Sequence, residues 1–245
     1  MTDPHEPFSN PQAVANYAEG PARNVPGWSD MLRMTDLLLS EAAPERAKIL
    51  VVGAGGGLEL KRFAQTHGLW SFHGVDPSSA MLSLARSVLG PLSHQVVLQQ
   101  GFIDEAPQGP FDGATCLLTL HFVDAEGRLR LLEQVRKRLR PGAPFVTAQL
   151  SFPQDEGARG KWLERYAAFI ASSGVEVTKA QAAAEAVGAR LTVLDPDQDQ
   201  AMLRAAGFTD IDLFYAGLAF RGPRWPLQIP PLMASQTPPC RTGGL

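Results

Sequence analysis

"ILVVGAGGGLELKRF", Ile49 to Phe63, decides how this chain reads. An apolar run ending at Val52 has the form of a strand buried on both faces. Four glycines follow at positions 53, 55, 56 and 57, and a helical pattern begins at Leu58. A glycine turn at a helix N-terminus presents free N–H groups and lets a ligand approach the backbone closely. The dinucleotide fingerprint G-x-G-x-x-G fails because Leu58 stands where its third glycine belongs. The Walker pattern fails too, since no Gly-Lys-Ser/Thr follows. What remains is G-x-G-x-G, which a tight strand-to-helix turn without a ligand would also explain.

Working outward, strands alternate with helices. "SFHGVD" is a second strand ending at Asp76, and Ser78 can cap the helix after it. "HQVVLQQ" is a third strand, "FDGATCLLTLHFV" contains a fourth and "APFVTAQLSF" a fifth. "DIDLFYAGLAFRG" supplies two more. This order predicts a Rossmann-like, doubly wound α/β/α sandwich with a mostly parallel sheet of about seven strands. Residues 1–45 form a tail and lid helices, and 46–222 the main domain. Residues 153–200 break the rhythm and read as a small helical cap. Residues 223–245 hold too many prolines for a packed element and read as an irregular tail.

Composition narrows the partners. Lys and Arg number 22 against 25 Asp and Glu, a net charge of −3, which does not suggest a nucleic-acid binder. The helix "RLRLLEQVRKRLR" carries its bases, on this reading, on a solvated face opposite Leu129, Leu132, Val135 and Leu139. The two cysteines have neither metal-ligand nor disulfide spacing, so no metal is expected. No leader peptide or membrane span is expected, which gives a cytoplasmic default. An exposed aromatic N-terminal helix leaves room for a homodimer.

Asp76 carries the argument furthest. It stands at a strand end about 20 residues after the glycines, where an acid can grip ribose hydroxyls. With this acid, the glycines, "LRPGAPFV" and "AAGFTDIDLF", the chain resembles class I S-adenosylmethionine-dependent methyltransferases over roughly residues 14–222. The resemblance implies a reversed last strand, and S-adenosyl-L-methionine as cofactor with S-adenosyl-L-homocysteine as product. It puts Gly53, Ala54, Gly55 and Gly57 around the methionine moiety and Asp76 on the ribose. Pro77, Met81, Leu117 and Leu118 join the cofactor's surroundings. Two positions depart from the pattern: Val51 replaces an acid before the first glycine, and Phe102 stands where an adenine-binding Asp is common. Phe102 and Ile103 could still sandwich the adenine, and Asp104 could take the polar role.

"RNVPGWSDMLRMTDLLLSE", "TLHF" and Ser151-Phe152 resemble the carboxy-S-adenosylmethionine synthases. That likeness places Trp28 against the cofactor. Those enzymes hold an extra carboxylate with an arginine in the insert; here the matching region is mostly alanine, and Arg190 lies several residues away. Methyl transfer to a small-molecule acceptor is therefore the preferred activity, with a synthase-like or tRNA-modification-related sulfonium enzyme as the alternative.

His121, at the end of the fourth strand, reads either as a general base or as a hydrogen-bonded wall residue. Tyr17, Arg23, Trp162 and Tyr166 are the candidates for substrate contact, with helix packing as their other reading.

Overall fold

The computed structural model describes residues 17–225 together with Phe8 and Val14; the Pro-rich stretch 226–245 lies outside the described residues. Two short helical pieces, a 3₁₀ turn at Tyr17–Glu19 and α1 (Gly20–Asn24), lead into α2 (Trp28–Ser40). The sheet begins with β1 (Lys48–Val52), followed by α3 (Leu58–Thr66), β2 (Ser71–Asp76), α4 (Ser79–Leu89), β3 (Val96–Gln100) and β4 (Gly113–Leu117). It continues through α5 (Ala125–Arg138), β5 (Phe145–Leu150), the hairpin α6 (Glu156–Ser172) and α7 (Val177–Arg190), α8 (Pro196–Ala205), β6 (Asp212–Gly217) and β7 (Phe220–Trp225).

The seven strands lie in the order β3-β2-β1-β4-β5-β7-β6. All neighbours are parallel except β7, which runs antiparallel to both β5 and β6. The order reverses between β1 and β4, and the crevice at the carboxyl ends of those strands is where such sheets bind ligands.

Period-two alternation sorts the side chains into two layers. Leu50, Val52, Ala114, Cys116 and Phe145 face Leu132 and Val135 of α5 and Leu203 of α8. Ile49, Val51 and Val146 face Leu39 of α2 and Leu60 and Phe63 of α3. A third cluster joins the hairpin to the sheet edge, with Tyr166, Ile170, Ala184 and Val187 packed on Phe152, Tyr215, Phe220 and Val25. The α6–α7 hairpin thus packs on the sheet edge, while Leu203 and Ala206 at the end of α8 pack into the main core.

Two expectations need correction. β7 continues through Pro223 to Trp225, past the point where the prolines were expected to end the strand. Pro223 falls between the Gln149↔Arg221 and Val146↔Arg224 pairs with β5, beside an irregularity in the β6 register, so its missing N–H coincides with a break in both ladders. The bases of α5 are also not all solvated. Arg128 and Arg138 are fully buried. Arg138 Nη2 donates to the carbonyls of Asp104 and Ala106 at 3.1 and 3.2 Å. Arg128 Nη1 donates to Asp199 Oδ1 at 2.8 Å, and Nη2 to the Thr192 carbonyl at 2.5 Å. A long guanidinium stem packs like an apolar side chain while its fork meets fixed acceptors, so periodicity alone misassigns it.

Removing one member of a buried ion pair strands the other charge. Asp199→Ala is expected to lower stability by about 3–5 kcal/mol, read by urea denaturation. The double replacement Arg128→Met with Asp199→Leu should recover most of that loss.

Candidate active site

Steric approach defines the glycine turn. Gly53, Gly56 and Gly57 have φ of +75°, +78° and +69°, a region costly for any residue with a Cβ. A Cβ on Gly53 would stand 2.0 Å from Thr119 Oγ1, and one on Gly56 2.4 Å from the Tyr17 ring. The turn is wedged between the end of β4, the N-terminal segment and α4.

Asp76 braces it. The Gly55 N–H donates to Oδ2 at 2.9 Å and the Ser78 N–H to Oδ1 at 2.8 Å. Ser78 in turn caps α4 by accepting the Met81 N–H at 3.1 Å. The same carboxylate borders the crevice at the end of β2.

A cavity of roughly 740 Å³ opens at this edge of the sheet. Gly53, Gly55, Asp76, Pro77 and Met81 line one side of it. Phe102 and Ile103 stand at one end, and Leu117, Leu118 and His121 lie where β4 terminates. Tyr17 and Tyr166 also border it. Phe102 is 57% exposed, an aromatic face open to a flat ring. Asp104 is paired with Arg130 at 3.2 Å.

Five expected residues stand elsewhere. Ala54 is buried in the core, and Gly57 abuts Ala85. Trp28 packs against the hairpin-side cluster. Arg23 is exposed and pairs with Glu19 at 2.6 Å. Trp162 stacks on Phe152, with the Arg165 guanidinium 4.7 Å from its ring centre.

Other wall residues gave little sequence signal. Phe8 touches Phe122 edge-on, and its carbonyl accepts the Ser78 hydroxyl at 2.7 Å. Val25, Leu150, Val187, Leu191 and Phe220 converge from four segments and make one end of the cavity apolar. Leu118 adopts a left-handed φ of +55°, strain of about 1–3 kcal/mol held at the cavity wall.

His121 is not placed to act as a base. Its Nδ1 accepts the Leu150 N–H at 3.2 Å, so the ring proton sits on Nε2. Burial, reinforced by the Arg128 guanidinium, pushes its pKa down to about 3. The ring is a neutral wall group with one N–H to donate.

Glu59 is the site-adjacent acid that sequence reading overlooked. Its carboxylate is buried beneath the turn, where Oε1 accepts the Thr115 hydroxyl at 3.0 Å. Thr115 is the β4 neighbour of Val51, so Glu59 brings an acid from α3 beside the position where the family pattern has one on β1. Burial raises its pKa to about 8; the Thr115 bond opposes the shift and the Asp76 charge adds to it. A glutamate on the apolar face of α3, next to Leu60 and Phe63, was the available signal.

Residues 50–145 match the family described as a methyltransferase domain. Around it the chain is 24% identical over 200 residues to the carboxy-S-adenosyl-L-methionine synthase of Campylobacter lari, covering 81% of this chain and 85% of that one. It is 25% identical over 226 residues to the synthase of Pseudomonas putida, with 86% and 89% covered. The methyltransferase fold is shared with an O-methyltransferase family 2 protein of Planctomyces limnophilus, solved with apigenin, at TM-score 0.61 and 14% identity over 92% of this chain and 62% of that one. It is shared also with human N-acetylserotonin methyltransferase, solved with S-adenosylmethionine, at TM-score 0.58 and 16% identity over 91% and 56%. The chain spans a little over half the length of these two structural neighbours.

The Glu59 shift has a sign that can be checked. Its folded pKa lies above its unfolded value, so through the interval between them the folded state holds a proton that the unfolded chain has lost. From this group, the protein should lose stability as pH rises from the ordinary carboxylate range toward about 8. Glu59→Gln should flatten that slope, read as melting temperature against pH.

Proposed function

We propose that the protein transfers a methyl group from S-adenosyl-L-methionine to a small-molecule acceptor, releasing S-adenosyl-L-homocysteine. One observation carries the reading: the braced turn, the Asp76 carboxylate, and Phe102 with Ile103 border the same cavity as the apolar end under the hairpin. Polar contacts for a nucleoside and an apolar room for an acceptor are thus continuous. The fold shared with O-methyltransferases supports the same assignment.

Bound there, the cofactor would supply a methyl on a cationic sulfur. Asp76 would hold the ribose hydroxyls, and Gly53 and Gly55 would admit the amino-acid tail against the backbone. Ile103 and the exposed face of Phe102 would cover the adenine, with Met81 below. The residues facing the apolar end exclude water, and fixed orientation can contribute effective molarities of about 10⁵ M or more.

A second reading, synthesis of a carboxylated sulfonium, is favoured by the synthase relatives, which match over four-fifths of the chain. Against it stands the lining: among the described residues Arg130 is the one Lys or Arg facing the cavity, and it is paired with Asp104 near Ile103, away from the apolar end. Arg190 is exposed and outside the lining. Mass spectrometry of the copurified ligand separates the two readings by the extra carboxylate.

The same proposal has the protein act in the cytoplasm on a free small molecule, with no nucleic-acid partner, consistent with the net charge of −3, and includes a homodimer as its assembly. Among the described residues no helix is long and apolar enough to cross a membrane.

Asp76→Ala is expected to weaken binding of the donor and of its demethylated product by about 10- to 100-fold, the loss of hydrogen bonds to a charged group. Isothermal titration reads the loss, and a parallel melting curve separates it from collapse of the turn. Binding of NAD in place of both ligands overturns the assignment.

A further inference from the structure

The apolar end of the cavity holds hydrogen-bond donors and no described base to match them. The Tyr166 hydroxyl, carried inward by α6, makes no hydrogen bond within the described structure, and burial keeps it a phenol by raising its pKa to about 12. His121 offers Nε2–H, because its Nδ1 is already occupied by the Leu150 N–H. The charged and titratable groups around the histidine are Arg128 of α5, the Asp199 of α8 paired with it, and the Cys116 thiol of β4, which burial pushes up. Asp199 Oδ2 has no hydrogen-bond partner, but Asp199, like Arg128 and Cys116, is not among the residues lining the cavity. The acids that do line the cavity are committed: Asp76 to the two turns, Asp104 to Arg130, and Asp124 to capping α5 through the Gly127 N–H at 2.7 Å. Two donors in an apolar wall suit a guest that only accepts.

We propose that the methyl acceptor is taken up as a monoanion, a phenolate or thiolate on an apolar body, held by the Tyr166 hydroxyl and His121 Nε2–H. The inference rests on the methyl-transfer reading. The acceptor sheds its proton to solvent before it is bound, so no residue need remove one. Its lone pair forms the new bond to carbon while the carbon–sulfur pair returns to sulfur. An anion and a sulfonium become a neutral ether or thioether and a neutral thioether, and no proton moves in the transfer step. An apolar room favours this, since the charges present before transfer are gone after it.

The test uses the full chain saturated with S-adenosyl-L-homocysteine, whose binding is first verified by calorimetry. Titration with 4-nitrophenol and 4-nitrothiophenol, followed in the visible spectrum, reports the bound ionisation state and distinguishes oxygen from sulfur. The expected result is an anion band that persists below the ligand's solution pKa. Tyr166→Phe should weaken that binding about tenfold or more, as for a hydrogen bond to a charged group, while leaving affinity for the demethylated cofactor unchanged. In turnover, the acid limb of kcat/KM should move with the pKa of each acceptor in a substituted series. Binding of the neutral form, no binding of any anion, or an acid limb fixed at one pH for every acceptor overturns the proposal. Failure of the demethylated cofactor to bind takes the methyl-transfer reading down with it; a neutral ligand beside a bound cofactor defeats only this inference.

Discussion

The site hangs on the Asp76 carboxylate. One oxygen takes the Gly55 N–H and the other the Ser78 N–H, so a single side chain at the end of β2 braces the turn after β1 and the start of α4. Three of the turn's glycines sit in the left-handed region, and backbone bonds from Gly53 and Ala54 to the Val75 carbonyl and from Gly56 to the Met81 carbonyl hold the turn alongside that brace. Thr119, Tyr17 and Ala85 close on the glycines from three directions, so the chain path has little freedom. These contacts fix the path of the chain at the cavity wall.

Buried charge is the second theme. Arg128 and Asp199 pin α5 to α8 behind the cavity, and Arg138 ties the same helix to the carbonyls around Asp104. These contacts hold the 103–106 segment, which supplies Ile103 to the cavity, against the main core. Glu59 differs, since its carboxyl is buried near Asp76 and Tyr17 with a hydroxyl rather than a cation for company. Burial favours the neutral form there, so the acid next to the turn is a proton-bearing group at neutral pH rather than a fixed negative charge.

The two halves of the cavity have different origins. The half beside the glycine turn comes from consecutive strand ends, β1, β2 and the segment after β3, and its residues lie close to one another in sequence order. The apolar half is assembled from Val25, Leu150, Val187, Leu191 and Phe220, almost two hundred residues apart at the extremes. The α6–α7 hairpin and the N-terminal segment pack on the β5-β7-β6 end of the sheet and on each other. The first half follows from topology and the second from packing.

That division also separates what the sequence determined from what the tertiary structure decided. Alternating apolar runs, the glycine cluster and Asp76 were legible along the chain, because strand period, left-handed turns and strand-end acids are local requirements. From them came the sheet, its crevice and Gly53, Gly55, Pro77, Met81, Phe102, Ile103, Leu117 and Leu118 at the cavity. Trp28, Arg23 and Trp162 went elsewhere, since an aromatic or basic residue near a site in sequence has several faces to pack against. His121 reached the cavity, but a backbone N–H on its Nδ1 removed it as a base. Arg128, Arg138 and Glu59 went inward where local pattern reads them as solvent-facing or neutral to the site. Whether a charge is exposed, paired or stripped of its proton depends on which distant groups surround it, and only the folded chain fixes those neighbours.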